Sequence, residues 1–234
     1  MRGLTEGGFF SLPCHEENKN MKRMKLLYGT GNSSKLRAMR EVLSQFDIEI
    51  LGLKDMPEEP PHVEEDGTTP LENARKKALH YYKAYGIPVF SCDSGLYFDN
   101  VSPEDQPGVH VRNVKGKCLT DRQMQEHYRK LAEKYGGITA RYQNAVCLVL
   151  DQDHVHEAME ENMASVPFRL VSTPHPRGME EGFPLDSISV DMETGKYYYD
   201  MGEEEQNRLV GEEGFAEFFR KFIDALDKGN PPRL

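Results

Sequence analysis

Two helices in this chain carry both start and stop signals, and each is set between short apolar runs. Thr69 stands at an N-cap, Pro70 takes the first helical position and Glu72 completes a capping box. Leu71, Ala74, Ala78 and Tyr82 then recur at helical spacing until Gly86. Thr120 and Gln123 make a second capping box, heading a helix through Tyr135 that meets Gly136-Gly137. Leu36, Met39, Leu43 and Phe46 predict an earlier helix; Phe215, Phe218, Phe219, Phe222 and Leu226 predict a last one with a packed apolar face. Apolar stretches over 25–28, around Ile48 and Ile50, over 88–91 and over 138–150 read as strands, with 154–159 as a hairpin partner of the last. Tyr197-Tyr198-Tyr199 reads as one more strand. Strands alternating with helices predict an α/β fold, a mixed central sheet flanked by helices. The expected layout is one domain over 24–229, between an N-terminal extension (1–23) and a tail (230–234).

Charge narrows the partners. The 39 acidic and 29 basic residues among 234 leave a net charge of −10, which repels nucleic acid over most of the surface. No apolar run approaches the ~18 residues of a membrane span, and the polar, Gly-rich start lacks a signal peptide's apolar core. Cys14, Cys92, Cys118 and Cys147 form no CxxC pair. The expectation is a cytoplasmic protein with reduced thiols that binds neither nucleic acid nor membrane.

Three short segments carry the chemistry. Thr30-Gly31-Asn32-Ser33-Ser34-Lys35 lies between a strand and a helix, where backbone N–H groups and a lysine favour an anion. It is neither a dinucleotide fingerprint, because Ser34 stands where that needs glycine, nor a Walker A loop, and alone it reads as easily as a turn with an Asn or Ser cap. Cys92-Asp93-Ser94-Gly95 follows an apolar run, so Asp93 is expected at a strand end, where α/β sheets place their ligands. Glu64-Glu65 sits in a loop that is rich in proline and acid, and carboxylates converging from separate loops suit Mg²⁺ when phosphate oxygens complete its shell. His154 and His156 share a strand face and read as solvent-facing in the absence of a third ligand.

In this order the segments resemble the inosine triphosphate pyrophosphatase family, the non-canonical purine nucleotide pyrophosphatases. The family's Thr-Gly-Asn-x-x-Lys matches residues 30–35. Its acid-Gly and Glu-Asn-Ala-x-x-Lys-Ala match Glu64-Glu65-Asp66-Gly67 and Glu72-Asn73-Ala74-Arg75-Lys76-Lys77-Ala78. Its Asp-Asp-Ser-Gly-Leu appears as Cys92-Asp93-Ser94-Gly95-Leu96, followed by Asp99, Pro107-Gly108 and Ala140-Arg141-Tyr142. The resemblance implies an elongated, two-lobed, homodimeric enzyme with its active site in the cleft. It would be a Mg²⁺-dependent hydrolase splitting non-canonical nucleoside triphosphates into a monophosphate and pyrophosphate. Glu64 would hold Mg²⁺, with Glu65 as substitute. Asp93 would bind the metal or act as general base, and Lys35 would neutralise the triphosphate. Thr30, Gly31, Asn32 and Ser94 would position phosphates, and Phe183 and Asp186 would meet the base.

The departures gather near the C-terminus. Gly182-Phe183-Pro184-Leu185-Asp186-Ser187 stands for the family's Gly-Phe-Gly-Tyr-Asp-Pro. Its late lysine falls on Gln206, and its base-reading Ser-His-Arg on Val210-Gly211-Glu212. The expectation is a kept hydrolytic core and a weakened preference for inosine and xanthosine triphosphates, unless Arg208 or Gln206 restores the donors. Two alternatives stand beside this reading: a pyrophosphatase for other modified or pyrimidine nucleotides, and a binder of the same fold without turnover.

Overall fold

Both threonine caps open helices as expected. The structure, a computed structural model, describes residues 24–202, Glu205, Leu209 and 212–227. The expected extension and tail, and Gln206, Arg208, Val210 and Gly211, lie outside the described residues.

The strands are β1 (Met24–Tyr28), β2 (Ile48–Gly52), β3 (Val89–Phe98), β4 (Asn113–Val114), β5 (Lys117–Cys118), β6 (Ile138–Val149), β7 (Val155–Ala158), β8 (Phe168–Leu170) and β9 (Ser189–Asp191). The helices are α1 (Ser33–Val42), α2 (Pro70–Tyr85), α3 (Asp121–Tyr135) and α4 (Glu212–Asp227). Seven strands form one sheet in the order β2-β1-β3-β6-β8-β9, with β7 also paired to β6. β1 runs parallel to β2 and β3, and the pairs from β3 onward are antiparallel, so the sheet is mixed as predicted. The β4–β5 hairpin stands apart.

Several local expectations change. Thr69 Oγ1 accepts from Glu72 N, but the Glu72 carboxylate takes the N–H (2.6 Å) and hydroxyl (2.9 Å) of Thr68, one residue upstream of the expected box. The box at Thr120 and Gln123 is complete. Tyr198–Asp200 is a 3-10 turn instead of a strand. His156 faces the interior, 4% exposed with its ring 4.1 Å from that of Phe222, while His154 pairs with Asp151 outside the strand. The expected solvent-facing pair is therefore split by the docking of α4.

The core is layered on the sheet. Leu26, Tyr28, Phe90, Val146 and Leu148 pack against Met39 and Leu43 and the phenylalanines of α4. On the other face Leu27, Val89, Ala145 and Cys147 meet Ala74, Ala78 and Tyr81 of α2. A separate cluster gathers Leu96, Phe98, Tyr128, Phe168 and Ile188 around α3 and β8. Among the described residues no helix is long and apolar enough to cross a membrane.

Candidate active site

β3 does not stop at Cys92. It continues to Phe98 because β6 holds it in register throughout, with Asp93 opposite Ala145. Asp93 is therefore a mid-strand residue and not the strand end that the sequence predicts. β1 pairs with β3 only as far as Phe90, however. Asp93 stands just beyond the C-terminal end of β1, on an edge that pairs with no strand until Leu96 meets Gly108. A ligand placed off the ends of parallel strands would meet it there.

Asp93 is 8% exposed and points to the α2 face. Lys77 Nζ donates to its Oδ1 at 2.8 Å, and Asn73 Nδ2 to its Oδ2 at 3.2 Å. The same Lys77 ammonium donates to Glu65 Oε2 at 3.0 Å. Burial alone would lower the Lys77 pKa, but Asp93 and Glu65 outweigh it and hold the ammonium above its ordinary range. Asn73 Oδ1 accepts from Gly67 N (2.8 Å), so one amide ties the acidic loop to the strand aspartate. Glu64 is exposed and makes no hydrogen bond or ion pair among the described residues.

The β1–α1 loop brings Lys35 to this group. A Cβ at Gly29 would run into Ser91 Oγ and the Tyr81 ring, so only glycine lets the loop lie this close to β3 and α2. Thr30 Oγ1 accepts from Asn32 N, and Asn32 Oδ1 caps α1 by accepting from Ser34 N (2.9 Å) and Lys35 N (3.2 Å). That oxygen is thereby committed to the helix. The N–H groups of Gly31 and Ser33 have no acceptor among the described residues. Lys35 is half-buried and its ammonium has no ion pair there either. Burial pushes its pKa down, as does nearby Lys77, against the pull of Asp93, Cys92 and Glu65. Two ammoniums and two carboxylates thus meet with their formal charges balanced.

Ser94 does not join them. Strand alternation turns it to the opposite face, where its hydroxyl donates to Asn144 Oδ1 at 2.7 Å. Cys92 shares that face, and burial pushes its thiol up to about 12. Phe183 and Asp186 lie past a strap that crosses the phosphate loop. Asn32 Nδ2 donates to Gly182 O (3.4 Å), Ser34 Oγ to Glu181 O (2.9 Å), and Arg37 pairs with Glu180 (2.9 Å). Gly182 N in turn donates to Asp121 of α3 at 2.8 Å. Phe183 and Asp186 are half-buried, and the Asp186 carboxyl has no hydrogen-bond partner among the described residues. Burial, then Glu180, raise it to about 7.

The sequence matches the Ham1 family over residues 26–211. This chain belongs to the Ham1 family. It is 33% identical over 214 residues to a dITP/XTP pyrophosphatase of Thermus thermophilus, covering 91% of this chain and 97% of that one. A dITP/XTP pyrophosphatase of Aquifex aeolicus is 33% identical over 193 residues, covering 80% and 90%. The fold matches that of a HAM1 protein from Coxiella burnetii with a TM-score of 0.64 at 23% identity, over 88% of this chain and 99% of that one.

In this Ham1 chain the sequence reading missed Asn73 and Lys77 as site residues. The stripe expected on α2 was Leu71, Ala74, Ala78 and Tyr82, but the buried face is Asn73, Ala74, Lys77, Ala78 and Tyr81. A readable signal existed: Asn73, Lys77 and Tyr81 follow one another at four-residue spacing beside the alanines, so a lysine had to face inward. A buried lysine needs a carboxylate, and Asp93 is that partner.

Proposed function

We propose that this chain hydrolyses non-canonical nucleoside triphosphates to the nucleoside monophosphate and pyrophosphate, with Mg²⁺. The observation that carries the reading is Lys35, an ammonium without an ion pair among the described residues whose charge is felt by Asp93, Glu65 and Lys77. Asp93 and Glu65 are both engaged by Lys77, so the Lys35 ammonium is open to a phosphate oxygen. Names of relatives at 33% identity over most of both chains supply the ligand's class, a deoxyinosine or xanthosine triphosphate.

Among the described residues no three His, Cys, Asp or Glu side chains form a metal cage. Mg²⁺ does not require one, since it binds through one or two carboxylates completed by water and substrate phosphates. Asp93 and Glu65, which already share Lys77, suit that role, and we assign the second ligand to Glu65 in preference to Glu64. When bound, the ion neutralises charge on the triphosphate and polarises its oxygens.

The chain's own groups do the rest. Lys35 and the free amides of Gly31 and Ser33 receive phosphate oxygens, with the Thr30 hydroxyl beside them. Asp93 keeps lone pairs beyond those that Lys77 and Asn73 engage. With them it orients the attacking water and takes its proton. The water oxygen bonds to the α-phosphorus, the α–β bridge breaks and pyrophosphate departs. Lys77 positions Asp93 and Glu65. We place the substrate across a cleft between two lobes, with Phe183 stacked on the base and Asp186 at its edge. The cytoplasmic location extends the reduced-thiol reading of the sequence, and the homodimer rests on the family resemblance.

Mg²⁺ dependence of turnover tests the metal assignment. Glu65→Gln is expected to raise the Mg²⁺ concentration needed for half-maximal turnover, and Glu64→Gln to leave it near the wild-type value. The reverse pattern would return the ligand to Glu64.

A further inference from the structure

The face of β3 that carries Asp93 holds one more open polar group. Alternation places Ser91, Asp93, Gly95 and Tyr97 on that face. The Ser91 hydroxyl is engaged, donating to Gly29 O at 3.3 Å. Ser94, the hydroxyl that the sequence assigns to phosphate, is turned to the other face. Tyr97 keeps its hydroxyl free. The residue is half-buried, makes no hydrogen bond among the described residues, and its ring joins none of the three core clusters. That ring folds back along the strand toward Asp93. A Cβ at Gly95 would stand 2.7 Å from Tyr97 Cε2 and 2.9 Å from its hydroxyl oxygen, so only glycine lets the ring lie there.

Gly95 follows Asp93 by one repeat of the strand, about 7 Å, on the same face. One small group hydrogen-bonded on both sides fills about that interval. Among the described residues the edge of β3 beside it pairs with no strand between Asp93 and Leu96, which leaves that edge open. Burial, then the nearby Asp93, raise the Tyr97 pKa, so the phenol keeps its proton at working pH and can donate. In the reaction proposed above, the group that comes to Asp93 is the α-phosphoryl with its attacking water. A donor already in place at a phosphoryl oxygen stabilises the charge that shifts as the bond breaks. We propose that the Tyr97 hydroxyl donates a hydrogen bond to the phosphoryl group attacked at Asp93, which makes Tyr97 a catalytic residue. The inference rests on the function proposed above and adds a donor to Lys35, Asp93 and Glu65. Because Tyr97 acts on the phosphate, its contribution is the same whichever base is bound.

Pyrophosphate release from inosine and xanthosine triphosphates, measured separately for wild type and Tyr97→Phe alongside their Tm, tests this. Tyr97→Phe removes the hydroxyl and keeps the ring. It should lower kcat/KM about 10- to 100-fold, the range of a hydrogen bond to a charged group. The factor should be the same on both substrates, and Tm should be unchanged, because the hydroxyl has no partner in the fold to lose. Wild-type rates in Tyr97→Phe would overturn the inference. So would a loss confined to one base, which would turn the hydroxyl toward the base, or a fall in Tm that accounts for the fall in rate, which would make it structural. In each of these cases the wild type is active and the proposed function stands. A wild type that hydrolyses neither substrate would overturn the proposed function and this inference with it.

Discussion

The two ends of the proposed substrate site are built on different principles. At the proposed phosphate end, hydrogen bonds of 2.8–3.2 Å join Asn73 and Lys77 of the long helix α2 to Asp93 of the ten-residue strand β3, and tie in Glu65 from the loop before α2. At the proposed base end, Phe183 and Asp186 sit on a bridge and a short 3-10 turn, and the Asp186 carboxyl has no hydrogen-bond partner among the described residues. On the proposed reading, phosphate binding, common to all nucleotides, draws mainly on regular elements, while the choice of base draws on irregular segments, where substitutions cost the fold little.

The contrast predicts how each end breaks. Asp93→Asn removes the charge at the centre of the phosphate end and should lower kcat about 10²–10⁴-fold, the usual loss for a general base. Near-normal turnover by a folded Asp93→Asn protein would remove Asp93 from the mechanism. Lys77→Met should damage stability as well as rate. Both side chains of the Lys77–Asp93 pair are 11% exposed, and removing one partner of a buried pair costs about 3–5 kcal/mol. A Tm within a degree of wild type would show that the pair is not the keystone described here. Lys35→Met should do the opposite, lowering kcat/KM about 10- to 100-fold, as for a lost charged hydrogen bond, with Tm held, because Lys35 has no ion pair to lose. An early-melting variant with normal kinetics would make Lys35 structural.

The smallest effect belongs to the base end. Asp186 is raised to about 7 by burial and Glu180, so the fold favours its neutral form. Its contribution is therefore fully present below the ordinary carboxylate range near pH 4 and is lost as pH rises toward about 7. Asp186→Asn should remove that dependence. The variant should gain on the order of 1 kcal/mol over wild type at pH 8, after allowance for partial exposure, and nothing at pH 4. Denaturant melts at both values check it; an equal difference at both would mean that the carboxyl is not strained.

Much of this was legible in the sequence because short-range rules wrote it. The caps at Thr69 and Thr120 and the glycine stops placed the helices and, with the apolar runs, the mixed sheet. The sequence missed what pairing decides. β3 runs through Asp93 because β6 continues beside it, and that alternation sends Ser94 to the far face. The Asn32 side-chain oxygen caps α1, which leaves its amide N–H2 as the group that could meet a phosphate. His156 looked exposed until α4 covered it. Tyr198–Asp200 is a 3-10 turn, and among the described residues a single bridge, from Val190 to Tyr197, pairs this segment with a strand.

In the proposed reaction one water molecule splits the α–β bond at the Asp93 group. Incubating the protein with inosine triphosphate and Mg²⁺, and resolving products by ³¹P NMR, tests it most directly. The account predicts inosine monophosphate and pyrophosphate in equal amounts from the first time point, with no diphosphate. Inosine diphosphate with orthophosphate would contradict it.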